Sequence, residues 1–175
     1  AQTGKHILLI DCDMRKPVQH KLFGLPNRGL SNCIVTEAKF DDVIQKDVMP
    51  NMDVLPSGPV PPNPSEILCS AKMEEMLKMV SERYDYILLD TPSVLLVTDT
   101  VIVAAKVDGV IILVSAGETS IHDAKYAKTL LTQGGANILG AILNKVPIRH
   151  RYGYYYNYYY NEQNEEHKSS KGGGT

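Results

Sequence analysis

Residues 6–17 read HILLIDCDMRKP, an apolar run that ends in two aspartates and a short basic loop closed by proline. A continuous apolar run without alternation is typical of a strand buried on both faces of a parallel sheet. Ligands of such sheets bind beyond the carboxyl ends of the strands. Asp11 and Asp13 therefore stand where a site is expected, and their side chains point the same way if the strand continues through both.

Similar runs recur along the chain and alternate with helical patterns. Buried strands are predicted near residues 54–55, 86–89, 110–114 and 138–143. Apolar residues at helical spacing fall at 73–80, behind Ser70 as N-cap, and at 121–131, behind Thr119 or Ser120. Alternating strands and helices predict an α/β fold with a mostly parallel sheet and helices on both faces.

Bulk composition excludes several classes of function. The chain has 175 residues, 43% of them hydrophobic, so it can bury one ordinary core, and a formal charge of −2 gives no field for capturing nucleic acid or anionic lipid. Its three cysteines form no CxxC pair, which favours a reduced, cytosolic chain. No apolar run reaches the roughly 18 residues that cross a bilayer, so membrane association is expected only through a partner.

A third aspartate closes another apolar run. Residues 86–89 end in Asp90, and P-loop enzymes present a carboxylate to Mg²⁺ in this way. Mg²⁺ takes one or two carboxylates plus phosphate oxygens, so Asp11, Asp13 and Asp90 suit a Mg²⁺-nucleotide better than a closed protein cage. Each aspartate also fits a turn or a helix cap, Asp11 least of the three. Arg15 fits either a solvated loop charge or the partner of an acidic group.

Two segments differ in composition from the rest of the domain. Residues 55–64 contain five prolines and predict a stiff, extended loop within the domain that leads into a helix near Ser65. After Pro147 the chain is polar and ends in glycines, which predicts a mobile tail without a core. We therefore divide the chain into a catalytic domain at residues 1–147 and a tail at residues 148–175.

The tail contains an unusual tyrosine cluster. Residues 152–160 hold seven tyrosines, whereas the preceding residues hold three. Consecutive tyrosines fit neither a buried helix face nor a buried strand face, so most of their hydroxyl groups should be accessible. One alternative is a low-complexity aromatic tail without function. The other is single-stranded nucleic-acid binding, because Arg149, His150 and Arg151 lie beside stackable rings. The domain offers no basic groove for it, and Glu162 to Glu166 adds three acids.

Residues 7–17 resemble the Walker A′ motif of bacterial tyrosine kinases, and residues 84–92, YDYILLDTP, resemble their Walker B motif. The two motifs occur in the family's order, with the proline-rich loop between them, and the likeness covers nearly the whole chain. It implies a P-loop NTPase-like fold, ATP and Mg²⁺ as cofactors, and phosphate transfer to tyrosine.

The resemblance also implies roles for individual residues. Asp11 and Asp13 would serve the metal and the incoming tyrosine hydroxyl, with Asp11 as proton acceptor and Arg15 beside them. Asp90 would hold Mg²⁺ through water. Asn144 would lie near the adenine base, although a turn-forming asparagine after a strand explains it equally well.

In the family the C-terminal cluster is the substrate, phosphorylated by a neighbouring subunit. The resemblance thus implies phosphorylation of Tyr152, Tyr154, Tyr155, Tyr156, Tyr158, Tyr159 and Tyr160. It further implies a homo-oligomer, an activator of the polysaccharide co-polymerase type in the membrane, a tyrosine phosphatase and no nucleic acid. The location would be the cytoplasmic face of the plasma membrane, and the process capsule or exopolysaccharide synthesis.

One family element is missing from these residues. A P-loop, Gly-x-x-x-x-Gly-Lys-Ser/Thr, cradles phosphates on backbone N–H groups, and the sequence contains none. We expect the first strand and the phosphate loop upstream of residue 1. Two alternatives remain open: a partitioning or division-site-placing ATPase of the MinD/ParA type, and a catalytically silent adaptor that an intact kinase phosphorylates.

Overall fold

Strands and helices alternate along the chain, as the sequence predicts. A computed structural model of the protein describes residues 4–147. The elements are β1 (Ile7–Asp11), α1 (Gln19–Leu22), α2 (Leu30–Val35), α3 (Phe40–Val43), β2 (Gln45–Met49), β3 (Met52–Leu55), α4 (Pro64–Cys69), α5 (Ala71–Ser81), β4 (Tyr86–Asp90), α6 (Asp99–Ala104), β5 (Val110–Ser115), α7 (Ile121–Gln133) and β6 (Ile138–Asn144).

The larger sheet has four strands in the order β2-β3-β1-β4. β1 is parallel to both β3 and β4, and β2 is antiparallel to β3. β5 and β6 form a second, parallel pair. The predicted α/β class with mostly parallel strands is therefore confirmed.

The core lies around β1. Leu8 and Ile10 of this strand are fully buried, together with Met73 and Val80 from α5. The predicted cap of α5 is confirmed, because the Ser70 hydroxyl oxygen accepts the Met73 backbone N–H at 3.2 Å. Ser120 caps α7 in the same way, so of the two residues predicted for that cap it is the second.

The prediction that the strands are buried on both faces is wrong for the later strands. Leu88 in β4, Leu113 in β5 and Leu143 in β6 are 52%, 68% and 59% exposed. Within residues 4–147, packing comes from α5 on β4 and from α7 on β6, and these helices leave apolar side chains of the three strands uncovered.

Strand β2 is absent from the sequence prediction. It forms a hairpin with β3 through a turn at residues 50–51, where Asn51 has a φ of 60°. Asp53 holds the hairpin from within, where it accepts the Asp47 backbone N–H at 2.8 Å, and from outside, where it accepts the Tyr84 hydroxyl at 2.6 Å. The Pro-Asn pair at 50–51 is the turn signal that could have revealed it.

The proline-rich segment is the predicted connection within the domain. It leads to α4, which begins at Pro64, a favoured first helical residue. Upstream, Gly29 lies against this segment so closely that a Cβ atom would be 1.7 Å from the Pro56 carbonyl oxygen. Among residues 4–147, every helix is too short or too polar to cross a bilayer.

Candidate functional site

Two of the predicted aspartates meet at one edge of the sheet. β1 ends at Asp11 and β4 ends at Asp90, and the two residues are register partners on neighbouring strands. Gln19 joins them: its backbone N–H donates to Oδ2 of Asp11 at 3.0 Å, and its side-chain Nε2 donates to Oδ2 of Asp90 at 2.6 Å. This edge is where the parallel-sheet argument places a ligand.

Asp11 is a buried carboxylate held by backbone donors. Its side chain is 0% exposed. Oδ2 accepts the N–H groups of Val18 and Gln19, and Oδ1 accepts that of Asp13 at 3.1 Å. Burial raises the pKa of Asp11, the backbone hydrogen bonds oppose this rise, and the neighbouring Asp90 adds to it. The arrangement favours a carboxylate that takes up a proton more readily than an ordinary aspartate.

The predicted common orientation of Asp11 and Asp13 is not observed. β1 ends at Asp11, so the alternation of a strand does not reach Asp13. The carboxylate of Asp13 instead turns into its own loop, where Oδ1 accepts the backbone N–H groups of Arg15 at 3.1 Å and Lys16 at 2.9 Å. Its side chain thus shapes the loop that follows β1, as a turn-forming aspartate does.

Arg15 pairs with Asp99, a residue that no sequence motif had marked. Its Nε donates to Oδ2 of Asp99 at 2.7 Å, and its Nη2 donates to Oδ1 at 3.0 Å. Ser65 completes the cluster, because its hydroxyl donates to Oδ1 of Asp99 at 2.6 Å. Of the two readings of Arg15, a solvated loop charge or the partner of an acidic group, the second is the one observed. The cluster joins the loop after β1 to the first residues of α4 and α6.

Asp99 is the buried member of this cluster. Its side chain is 0% exposed, whereas that of Arg15 is 41% exposed. The hydrogen bond from Arg15 holds the pKa of Asp99 below its ordinary value, and the Ser65 hydroxyl contributes in the same direction. A buried, ionised aspartate with two charge-assisted bonds therefore anchors the basic loop beside Asp11.

No complete metal cage is formed by the described side chains. Residues 4–147 bring together no group of three His, Cys, Asp or Glu side chains that could hold a metal ion. The three aspartates predicted to converge are split: Asp11 and Asp90 adjoin, and Asp13 engages its loop.

Asn144 lies at the end of the second sheet. It closes β6, opposite Ser115 at the end of β5, and its side chain is exposed. Its Oδ1 accepts the backbone N–H of Lys145 at 2.8 Å, and Lys145 adopts a φ of 57°. This is the turn that the sequence analysis weighed as the alternative to a base-binding role. The tyrosine cluster at residues 152–160 lies outside the described residues.

Comparison with known proteins places the chain in a family. A family model described as an AAA domain matches residues 1–132. CapB of Staphylococcus aureus is 43% identical over 156 residues, which cover 89% of this chain and 68% of CapB. The tyrosine-protein kinase YwqD of Bacillus subtilis is 39% identical over 158 residues, covering 89% of this chain and 67% of YwqD.

Solved structures agree in fold. The chimerical protein CapA2B2 has a TM-score of 0.80 at 36% identity, over 83% of this chain and 65% of that one. The kinase domain of the Escherichia coli tyrosine kinase ETK also has a TM-score of 0.80, at 35% identity, over 83% of this chain and 57% of the domain. The septum site-determining protein MinD of Pyrococcus horikoshii, at 24% identity and a TM-score of 0.66, shares the fold. The chain therefore belongs to the AAA-domain family and, within it, to the bacterial tyrosine kinases.

Proposed function

We propose that this chain supplies the catalytic aspartates and the acceptor tail of a protein-tyrosine kinase that uses ATP and Mg²⁺. Residues 1–147 are the catalytic domain and residues 148–175 the tail. The observation that carries the proposal is the buried Asp11, in register with Asp90 at the carboxyl edge of the sheet. The tyrosine cluster at residues 152–160 supplies acceptors in the same chain.

Phosphoryl transfer from ATP to tyrosine depends mainly on positioning of the reactants and on charge neutralisation. Mg²⁺ would be held by Asp90, with Asp11 or Asp13 and phosphate oxygens completing its shell. A tyrosine hydroxyl, with an ordinary pKa of about 10, loses its proton to a carboxylate within hydrogen-bond distance. Asp11 suits this step because burial raises its pKa. For Asn144, at the carboxyl edge of β6, our proposal keeps a contact to the adenine base.

Phosphates on the tail would change how copies associate. Each adds about −1.5 to −2 charges, so several of them convert an uncharged aromatic segment into a repelling one. We infer transfer between copies, followed by release of the neighbour, and removal of the phosphates by a tyrosine phosphatase. The activator is a membrane protein of the polysaccharide co-polymerase type, which holds the kinase at the inner face of the membrane during capsule or exopolysaccharide synthesis.

Intact mass spectrometry tests the proposal. The samples are the 175-residue chain and a version extended upstream through the phosphate loop, each with and without Mg²⁺-ATP. We expect stepwise phosphate gains in the extended protein, and none when all seven tyrosines of residues 152–160 are replaced by phenylalanine. Phenylalanine substitutions at the exposed Tyr86 and Tyr126 form the control and should leave the gains on the cluster in place.

Two other outcomes would assign a different function. If the extended protein releases phosphate from ATP and gains none, the chain is an ATPase of the MinD type. If it does neither, but a separate kinase modifies the cluster, the chain is a phosphorylated adaptor. MinD-type proteins share the fold and give no reason for seven clustered tyrosines.

A further inference from the structure

A cavity near Asp11 has a largely apolar lining with basic side chains along it. It has a volume of about 540 Å³, and its wall includes Lys16, His20 and Lys21. Val18 belongs to the same wall, and its backbone N–H donates to Oδ2 of Asp11 at 3.1 Å. Val18 therefore links the cavity wall to the carboxylate proposed to receive the tyrosine proton.

Arg15 also lines this wall and is paired with Asp99, whereas the two lysines of the wall are not paired. Lys16 and Lys21 are exposed, and neither forms an ion pair with any residue in the range 4–147. Nδ1 of His20 is buried and has no hydrogen-bond partner within the same range. A cavity with unpaired cations on an exposed wall fits an anionic ligand.

The tail carries anions at the matching place in the sequence. Glu162, Glu165 and Glu166 follow the tyrosine cluster, and residues 157–166 contain no basic side chain. An extended chain spans about 3.3 to 3.6 Å per residue. In a fully extended chain Glu162 would stand about 7 Å beyond Tyr160, and Glu166 about 20 Å beyond it. With a cluster tyrosine at Asp11, the acidic segment reaches the adjoining cavity.

We propose that the cavity lined by Lys16, His20 and Lys21 binds the acidic segment 162–166 of another copy's tail and so directs the tyrosines to Asp11. The proposal rests on the proposed function, since it takes the tail as the substrate. It adds the recognition element: the two lysines hold the segment by charge, and the tyrosines themselves need no fixed contacts. Transfer can then reach several tyrosines from one docking position.

A binding titration without nucleotide tests this. A fluorescent peptide with the sequence of residues 152–166 is titrated with the full chain, and its anisotropy is followed at low salt. The double variant Lys16→Glu/Lys21→Glu should bind about tenfold more weakly. A peptide with lysine at positions 162, 165 and 166 should bind wild type poorly and recover to within about threefold on the double variant. High salt should shrink these differences.

A matched control separates recognition from net charge. Lys46→Glu/Lys78→Glu changes the net charge by the same amount at two exposed lysines that do not line the cavity. It should leave binding of the natural peptide unchanged. The proposal is overturned if the control variant weakens binding as much as Lys16→Glu/Lys21→Glu does. It is also overturned if the peptide with lysine at positions 162, 165 and 166 fails to recover binding on the double variant, or if inorganic phosphate displaces the natural peptide. Loss of kinase activity cannot imitate these results, because no ATP is present. Conversely, peptide binding that ignores Lys16 and Lys21, alongside normal transfer to the tail, refutes the cavity and leaves the kinase intact.

Discussion

Replacement of Asp11 by asparagine should lower the rate of phosphate transfer to the tail by about 10²- to 10⁴-fold, the range expected for loss of a general base. Asparagine keeps the size of the side chain and an oxygen for the Val18 and Gln19 N–H groups, but it cannot accept a proton. The rate is measured by intact mass on the upstream-extended protein.

Stability and pH distinguish this effect from misfolding. Burial disfavours the ionised form of Asp11 and raises its pKa, so loss of the charge itself should cost little. The new amide NH₂ faces the Asp13 N–H, and the free energy of unfolding at pH 7 should fall by about 1 to 2 kcal/mol. In the metal-free protein the Asp11 carboxyl should titrate at a higher pH than an ordinary aspartate, which NMR of the side chain can measure. Asp108→Asn, at an exposed carboxylate, is the control. A rate within threefold of wild type for Asp11→Asn would contradict the assigned role.

Replacement of Asp99 by asparagine should lower the free energy of unfolding by about 2 kcal/mol. The change removes a charge that accepts two hydrogen bonds from Arg15 and one from Ser65, and places an amide against donor groups. The full penalty for breaking a buried pair, about 3 to 5 kcal/mol, is not expected, because the side chain of Arg15 is 41% exposed and water can solvate it. Urea unfolding of the 175-residue chain measures the change.

The pH dependence of this difference has a defined sign. The pKa of Asp99 is lowered in the folded protein, so its ionised form contributes stability above the ordinary value of 3.8. That contribution is lost as the pH falls through the lowered folded-state pKa. Wild type and Asp99→Asn should therefore differ fully at pH 7 and converge below about pH 4. A difference that stays constant across this range, or equals that of Asp108→Asn, would mean that the charge of Asp99 has no part in anchoring the loop.

The elements that sequence reasoning located are those with strong local patterns. The apolar run of β1 and its closing Asp11, the run that ends at Asp90, and the caps at Ser70 and Ser120 follow from spacing within a few residues. Parallel pairing then brings Asp11 and Asp90 to one edge, without any knowledge of side-chain contacts.

The residues that were missed depend on contacts distant in sequence. Arg15 and Asp99 are 84 positions apart, and Gln19 and Asp90 are 71 apart, so no local pattern links them. Asp13 was misoriented because the strand stops two residues earlier than the argument needed. β2 was missed because an edge strand with largely exposed polar residues lacks the apolar run that marks the central strands.

A mixing experiment tests the central claim most directly. The donor is the upstream-extended protein with phenylalanine at all seven tyrosines of residues 152–160. The acceptor is the upstream-extended protein that keeps these tyrosines and carries Asp11→Asn. Each is incubated with Mg²⁺-ATP alone and then with the other, and intact masses are recorded. The account predicts phosphate on the acceptor's tail in the mixture and on neither protein alone. If the mixture stays unmodified while wild type becomes phosphorylated, or if the acceptor is phosphorylated alone, then Asp11 of one copy does not serve the tail of another.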